Sequence, residues 1–283
     1  MNIVVCIKPT IESSAVTYDT QSGKPIRPTC VMLSDADLAA LQTAFDQKQP
    51  LGAQVTALSI ADERAEPLLH QALLAGADRA IRLWHSNSSA TLDTHAAASA
   101  AAAAATTLKA DLVICGVRSA DIGSGFFPIA LATVAQYELA SRVLEIVWEG
   151  DKFNLIQKLE NGWRTTQWVK APAVLAVETE ITRIRHNTVL GRTYRAGIAR
   201  KLELWTPQSV GLDEMPRAMI QELDISLPRV RRRVAAPETK RVSALDLLRR
   251  KKSDGADSKQ QRLVGAPEKI AKELLELIKK WSA

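Results

Sequence analysis

The chain reads as an α/β protein with a mostly parallel sheet covered on both faces by helices. Two observations predict this. From the start to about residue 180, short apolar runs alternate with stretches of helical spacing. At one junction, Ile114 to Gly125, a buried-looking run passes through small and polar residues into an apolar segment. A strand, a glycine-bearing loop and a helix start are how α/β proteins build an anion site, because the first helical N–H groups lack internal partners. An ordinary strand-to-helix turn has the same appearance.

Taken in order, Ile3 to Ile7 is a first apolar strand. Asp35 to Gln47 carries Leu38, Leu41 and Phe45 at helical spacing, with Ser34 or Asp35 placed to cap it. Gln54 to Ile60 is the second strand. Asp62 can cap a helix carrying Leu68, Leu69, Ala72 and Leu73, which ends at Gly76. Arg79 to Trp84 is the third strand, and the alanine run Thr94 to Leu108 is a smooth-faced helix suited to close packing. Asp111 to Cys115 is the fourth strand, and Phe126 to Gln136 the next helix.

After Ser141 the pattern changes. Val143 to Trp148, Phe153 to Leu159 and Thr165 to Val169 are strand-like and separated by Glu149-Gly150-Asp151 and Glu160-Asn161-Gly162, so they read as an antiparallel insert over about 143–169. Pro172 introduces Ala173 to Val177, a buried strand that returns to the sheet, and Lys201 to Trp205 is a short strand. The expected division is an α/β domain over 1–212 and a C-terminal arm over 213–283. The arm ends in an amphipathic helix opened by Ala266-Pro267-Glu268 and carrying Ile270, Leu274, Leu277, Ile278 and Trp281 on one side.

At 283 residues, with 46% hydrophobic and 24% charged residues, the chain can bury a real core and has a soluble composition. The longest nearly uncharged stretch, Ala96 to Leu108, is too short to span a bilayer, so no membrane insertion is expected. Cys6, Cys30 and Cys115 lie far apart without a metal-binding pair, and no basic region precedes the first apolar run. A reducing cytoplasm is the expected setting. The histidines (His70, His85, His95, His186) are scattered and no triad-like motif is present, so no catalytic acid, base or nucleophile and no metal site are expected. The net charge of +6 has its cluster at Arg229 to Lys252. A nucleic-acid patch would carry interleaved aromatics, which this stretch lacks. An arm for an acidic partner protein and a solvated linker both fit it.

Several segments, in one co-linear order, resemble the beta subunit of electron-transfer flavoproteins, most closely the branch tied to carnitine metabolism and nitrogen fixation. They are Asn2 to Lys8, Gln71 to Ile81, the Gly116 to Gly125 loop, Lys170 to Val177, and Lys201 to Trp205 with Val210 to Asp213. The resemblance covers roughly the whole globular part. It implies a three-layer α/β/α sandwich of the adenine-nucleotide-binding kind and a heterodimer with an alpha subunit. FAD would be held mainly by that subunit, and AMP or a second FAD by this chain. The pair would carry electrons from flavoprotein dehydrogenases to a quinone reductase or another acceptor, the cofactor supplying the chemistry.

Carried over by position, the resemblance implies nucleotide contacts from Cys6, Ile7 and Lys8, from Ser34 and Asp35, and from Ser59 and Ile60. In the loop it implies Gly116, Ser119, Asp121, Gly123, Ser124 and Gly125, where helix capping alone would also explain the serines. It places a partner-recognition loop over 180–197, with Val189 or Leu190 as an apolar anchor and Arg183 and Arg185 beside it. The altered motif there implies a partner other than the acyl-CoA dehydrogenases. The alternative reading, a universal-stress-type nucleotide-binding scaffold without redox activity, shares the α/β core but has neither the antiparallel insert nor the arm.

Overall fold

The computed structural model describes residues 1–11, 16–19, 25–26, 31–84, 92–185 and 202–220, with Ala271 and Leu275 beyond them. The chain divides into two compact units, Met1–Leu227 and Pro228–Ala283, and the elements below all lie in the first. The predicted basic arm, the anchor residues Val189 and Leu190, Cys30 and most of the predicted last helix lie outside the described residues.

Eleven strands and four α-helices are present among the described residues. They run β1 (Asn2–Cys6), β2 (Thr17–Tyr18), β3 (Pro25–Ile26), α1 (Asp35–Lys48), β4 (Gln54–Ser59), α2 (Glu66–Ala75), β5 (Arg79–Leu83), α3 (Thr94–Thr107) and β6 (Leu112–Gly116). Then come α4 (Phe126–Ala135), β7 (Glu138–Trp148), β8 (Phe153–Lys158), β9 (Arg164–Val169), β10 (Ala173–Val177) and β11 (Leu202–Trp205). Nine strands form one sheet in the order β11-β5-β4-β1-β6-β10-β7-β8-β9, and β2 and β3 make a separate small ladder. All neighbours from β11 to β7 are parallel, whereas β7–β8 and β8–β9 are antiparallel.

The parallel centre of the sheet, β4, β1, β6 and β10, is buried on both faces, so these strands alternate between two cores. Along β1, Ile3 and Val5 join α1 and α2 in one cluster, and Val4 and Cys6 join α3 and α4 in the other. Strand β10 is buried at every residue, with Ala173, Leu175 and Val177 on the first side and Val174 and Ala176 on the second. Seven alanines of α3 are buried, and their short side chains let this helix lie close to the sheet and to α4.

Within the described residues the predicted elements are found with bounds shifted by a residue or two, save one helix and one strand. The helix expected to start at Asp62 opens as a 3-10 turn over Glu63–Ala65, and α2 begins only at Glu66. Strand β7 begins at Glu138, not Val143, and its first half pairs parallel with β10. The exposed residues Glu138 and Ser141 interrupt the apolar pattern there, which hides the strand from a reading of periodicity. Arg142 has φ 56°, and the register shifts between Val143 and Glu145. Beyond that point the antiparallel strands turn back beside the first half of β7, where Gln167 Nε2 donates to the Leu139 carbonyl at 3.2 Å. Phe153, Leu155 and Val169 thereby bury against the α1 side of the core. The insert is thus an extension of the main sheet.

Connectivity runs outward from β1 to β4 and β5 on one side, then jumps back to β6 on the other. In open α/β sheets such a reversal leaves a crevice beyond the carboxyl ends of the two central strands. That crevice is where the chain places its cleft.

Candidate functional site

The cleft has a volume of about 140 Å³. Its floor is made by the ends of β1, β4 and β6, namely Cys6 to Lys8, Leu58 with Ile60, and Cys115 to Val117. Asp37 of α1 enters from one side, and Asp93, Thr94 and Ala97 at the start of α3 from the other. The loop from Arg118 to Gly125 and the first residues of α4 close the mouth.

The loop is held by its own side chains. Ser119 Oγ accepts from the Gly123 N–H at 3.4 Å, and Ser124 Oγ accepts from the Phe126 N–H at 3.3 Å. Gly125, at φ 67°, is the N-cap residue of α4, a left-handed conformation that costs glycine little. Across the mouth, Lys8 Nζ lies 2.6 Å from Asp121 Oδ2, both side chains more than one third exposed. Partial burial pushes the Asp121 carboxyl up. The Lys8 ammonium, the Ser119 hydroxyl and the Ile122 N–H more than offset this and leave it below its usual range. Lys8 and Arg118 are the two cations lining the cleft among the described residues.

Asp37 is the buried charge of the site. Ser34 caps α1 by accepting from the Asp37 N–H at 3.2 Å, and its hydroxyl lies 3.0 Å from Asp37 Oδ2. The carboxyl also accepts from the Lys8 and Ser34 N–H groups, which makes Ser34-x-x-Asp37 a reciprocal capping pair. Burial nevertheless pushes its pKa up to about 6. Cys6 and Cys115, one step beyond the paired residues Val5 and Ile114, sit side by side beneath the cleft. Burial, with the Asp37 charge, pushes the Cys6 thiol up to about 12, and burial also raises Cys115. Neither is a ready nucleophile, since thiolate character is what makes cysteine reactive.

Asp93 works in two directions. Its Oδ1 caps α3 by accepting from the Ala96 N–H at 2.7 Å. Its Oδ2 accepts from the Met219 and Ile220 N–H groups at 2.6 and 2.9 Å. The segment after β11 is therefore tied to the rim of the cleft. Asp93→Ala is expected to cost about 1 kcal/mol from the lost cap and to speed hydrogen exchange at Met219 and Ile220. Denaturant unfolding and exchange mass spectrometry check both, and unchanged exchange would remove the tie.

Of the positions expected from the sequence, Cys6, Ile7, Lys8, Ile60, Gly116, Ser119, Ser124 and Gly125 line this one cleft. Asp121 and Gly123 stand just behind it, bonded to Lys8 and Ser119. Ser34 and Asp35 do not line it, since Asp35 is exposed and Ser34 supports Asp37. Ser59 faces the other side of the sheet from Leu58, and its buried hydroxyl has no hydrogen-bond partner among the described residues. Arg183 is exposed, whereas Arg185 pairs with Asp46 at 3.3 Å and donates its N–H to Gln42. Asp37, Arg118 and the α3 start were missed. The pattern Ser34-x-x-Asp37 and the dipeptide Asp93-Thr94 ahead of the alanines were the available signals.

A doubly wound sheet with its cleft at the strand-order reversal defines an open α/β protein of the class that takes its ligand at the carboxyl ends of the strands. Residues 31–201 match the electron transfer flavoprotein domain. The chain belongs to that family and is similar to its beta subunits. It is 27% identical to an electron transfer flavoprotein subunit beta of Thermoanaerobacterium thermosaccharolyticum, over 76% of this chain and 82% of the relative. It is 24% identical to protein FixA of Azorhizobium caulinodans, over 86% and 87%. It is also 24% identical to a subunit beta of Methylophilus methylotrophus, over 87% and 92%. Among the described residues no helix is long and apolar enough to cross a membrane, and no group of three or more His, Cys, Asp or Glu is placed to hold a metal ion.

Proposed function

We propose that this chain is the beta subunit of a heterodimeric electron-transfer flavoprotein and that its cleft holds a nucleotide, AMP or a second FAD. The observation that carries this reading is the cleft itself. It combines apolar walls for a base (Leu58, Ile60, Val117, Phe127) with two cations and a helix start at the mouth. The residues fit a nucleotide. Lys8 and Arg118 are within the lining for phosphate, Ser119 and Ser124 offer hydroxyls, and Asp37 offers a buried acceptor. Asp121 holds the Lys8 ammonium at the mouth.

In this reading the redox chemistry belongs to a flavin held mainly by an alpha subunit. This chain contributes binding, orientation and charge. Electrons pass from a flavoprotein dehydrogenase to a quinone reductase or another acceptor, and the work is done in the cytoplasm without membrane insertion. Residues 180–197 meet the redox partner, with Arg183 and Arg185 beside the anchor Val189 or Leu190. The arm over 213–283 docks on the alpha subunit.

The test is to co-express the chain with the alpha subunit of the same organism, purify the complex, and take a visible spectrum with nucleotide analysis of the denatured extract. One flavin with AMP supports an ordinary carrier, and two flavins support the two-flavin form. A colourless chain that binds no alpha subunit would sink the proposal.

A further inference from the structure

Two of the chain's three cysteines, Cys6 and Cys115, meet in the floor of the cleft. Strands β1 and β6 run parallel with Val5 opposite Ile114, so one step further sets Cys6 beside Cys115. Both side chains point to the α3–α4 side of the sheet, and both are free thiols. In the same row Cys6 has Leu58 of β4 on its other side, and Cys115 has Ala176 of β10. The row across the four strands thus offers two sulfurs flanked by apolar side chains. Cys6 is 7% and Cys115 3% exposed, and both line the cleft. A reagent that enters the cleft meets the two thiols together.

We propose that Cys6 and Cys115 form a dithiol site for soft trivalent electrophiles that bond two thiols at once, with aryl arsenicals as its ligand class. Three observations select this chemistry. The first is span. Neighbouring strands lie about 4.8 Å apart, a gap that two bonds of about 2.3 Å to one central atom, the length of a metal–thiolate bond, can bridge. The second is ligand count. Among the described residues no group of three or more His, Cys, Asp or Glu is placed to hold a metal ion, so a four-coordinate ion such as zinc is not served. The third is charge. Burial, with Asp37 nearby, holds both groups as thiols, so the ligand must remove their protons and leave no charge behind.

An aryl arsenic oxide meets all three demands. Its arsenic–oxygen double bond breaks and two arsenic–sulfur bonds form. The two thiol protons leave with the oxygen as one water, and the arsenic stays trivalent. The product is neutral, so the burial that opposes a thiolate does not oppose it. The third valence of the arsenic stays with the aryl carbon, and the cleft supplies Leu58, Ile60 and Phe127 as an apolar wall for the ring.

The test titrates the full-length Cys30→Ser chain, whose only thiols are Cys6 and Cys115, with phenylarsine oxide. Intact mass should show one phenylarsenic group per chain, with the loss of one water. The adduct should be stripped by dimercaptopropanol and survive the same concentration of 2-mercaptoethanol. Cys6→Ala and Cys115→Ala, each in that background, should weaken retention by about 100-fold or more, because the second bond is made intramolecularly. Equal retention by the single-thiol variants would overturn the proposal. X-ray absorption at the arsenic edge of the two-thiol chain should count two sulfur neighbours and one carbon. That spectrum decides even where an alanine variant fails to fold, and a single sulfur neighbour would overturn the proposal. So would the absence of any adduct on a folded chain whose two thiols titrate after unfolding.

Discussion

Replacing Asp37 by Asn is expected to raise the stability of the ligand-free chain at pH 7.5 by about 1–3 kcal/mol. The carboxyl is buried, and its pKa rises from 3.8 to about 6 in the folded state. A raised folded value means that the native state binds the proton more tightly than the unfolded chain does. The stabilisation from that proton is full below about pH 4 and lost as pH rises through about 6. Above that, folding carries the cost of a buried negative charge, worth roughly 3 kcal/mol at most. Asn keeps an oxygen to accept from the Ser34 hydroxyl and the Lys8 N–H, but its amide needs an acceptor of its own, which lowers the gain. The two proteins should therefore have similar stability near pH 4 and diverge between pH 4 and 7, with the variant ahead. Urea unfolding across that range measures the difference directly. If the variant is less stable at every pH, the hydrogen bonds to the carboxylate outweigh its desolvation. Asp121 and Asp93 sit below their usual range and act in the opposite sense in acid. Comparison with the wild type at each pH cancels their contributions.

Most of the fold is written locally. Unbroken apolar runs of four or five residues, as in Leu112 to Cys115 and Ala173 to Val177, have few options other than a strand buried on both faces. The capping signal at Ser34 places the start of α1 to the residue, whereas Asp62 caps a short 3-10 turn and α2 begins only at Glu66. What was not legible is what depends on distant partners. Glu138 to Arg142 form a strand only because β10 lies beside them. Asp37 joins the cleft because α1 packs over β6, and Leu92, Asp93, Thr94 and Ala97 join it because α3 starts on the other side. Neither fact leaves a periodic mark. The glycine-bearing loop was legible because its residues serve local geometry, the serines bonding back to the loop and its helix. For the same reason, local pattern alone does not separate capping from ligand binding.

The largest single-site loss is expected at Gly116. This residue ends β6 under the first turn of α1, and a Cβ built there would stand 2.6 Å from Ala36 Cβ and 3.0 Å from the Ala36 carbonyl carbon. Contacts that short are not relieved by a side-chain rotation, because one partner is backbone and the other is attached directly to it. The start of α1 must move away from the sheet. Gly116→Ala should therefore destabilise the fold by about 1–3 kcal/mol, as overpacking of a tight core does, and Gly116→Val by more. The displaced turn carries Ser34 and Asp37, and Gly116 itself lines the cleft. Nucleotide retention should fall together with stability. The steric account makes a stricter demand. Ala36→Gly alone should cost about 1 kcal/mol, as glycine does in a helix. Placed in the Gly116→Ala background it should restore part of the lost stability, because it removes the colliding Cβ and leaves only the longer backbone contacts. The cycle should thus show a favourable coupling of about 1–2 kcal/mol between two neighbours in contact. Simple additivity would mean that the loss at Gly116 comes from backbone freedom and not from the approach of α1. The close seat of α1 on β6 would then lose its claim to set the position of Asp37 in the cleft.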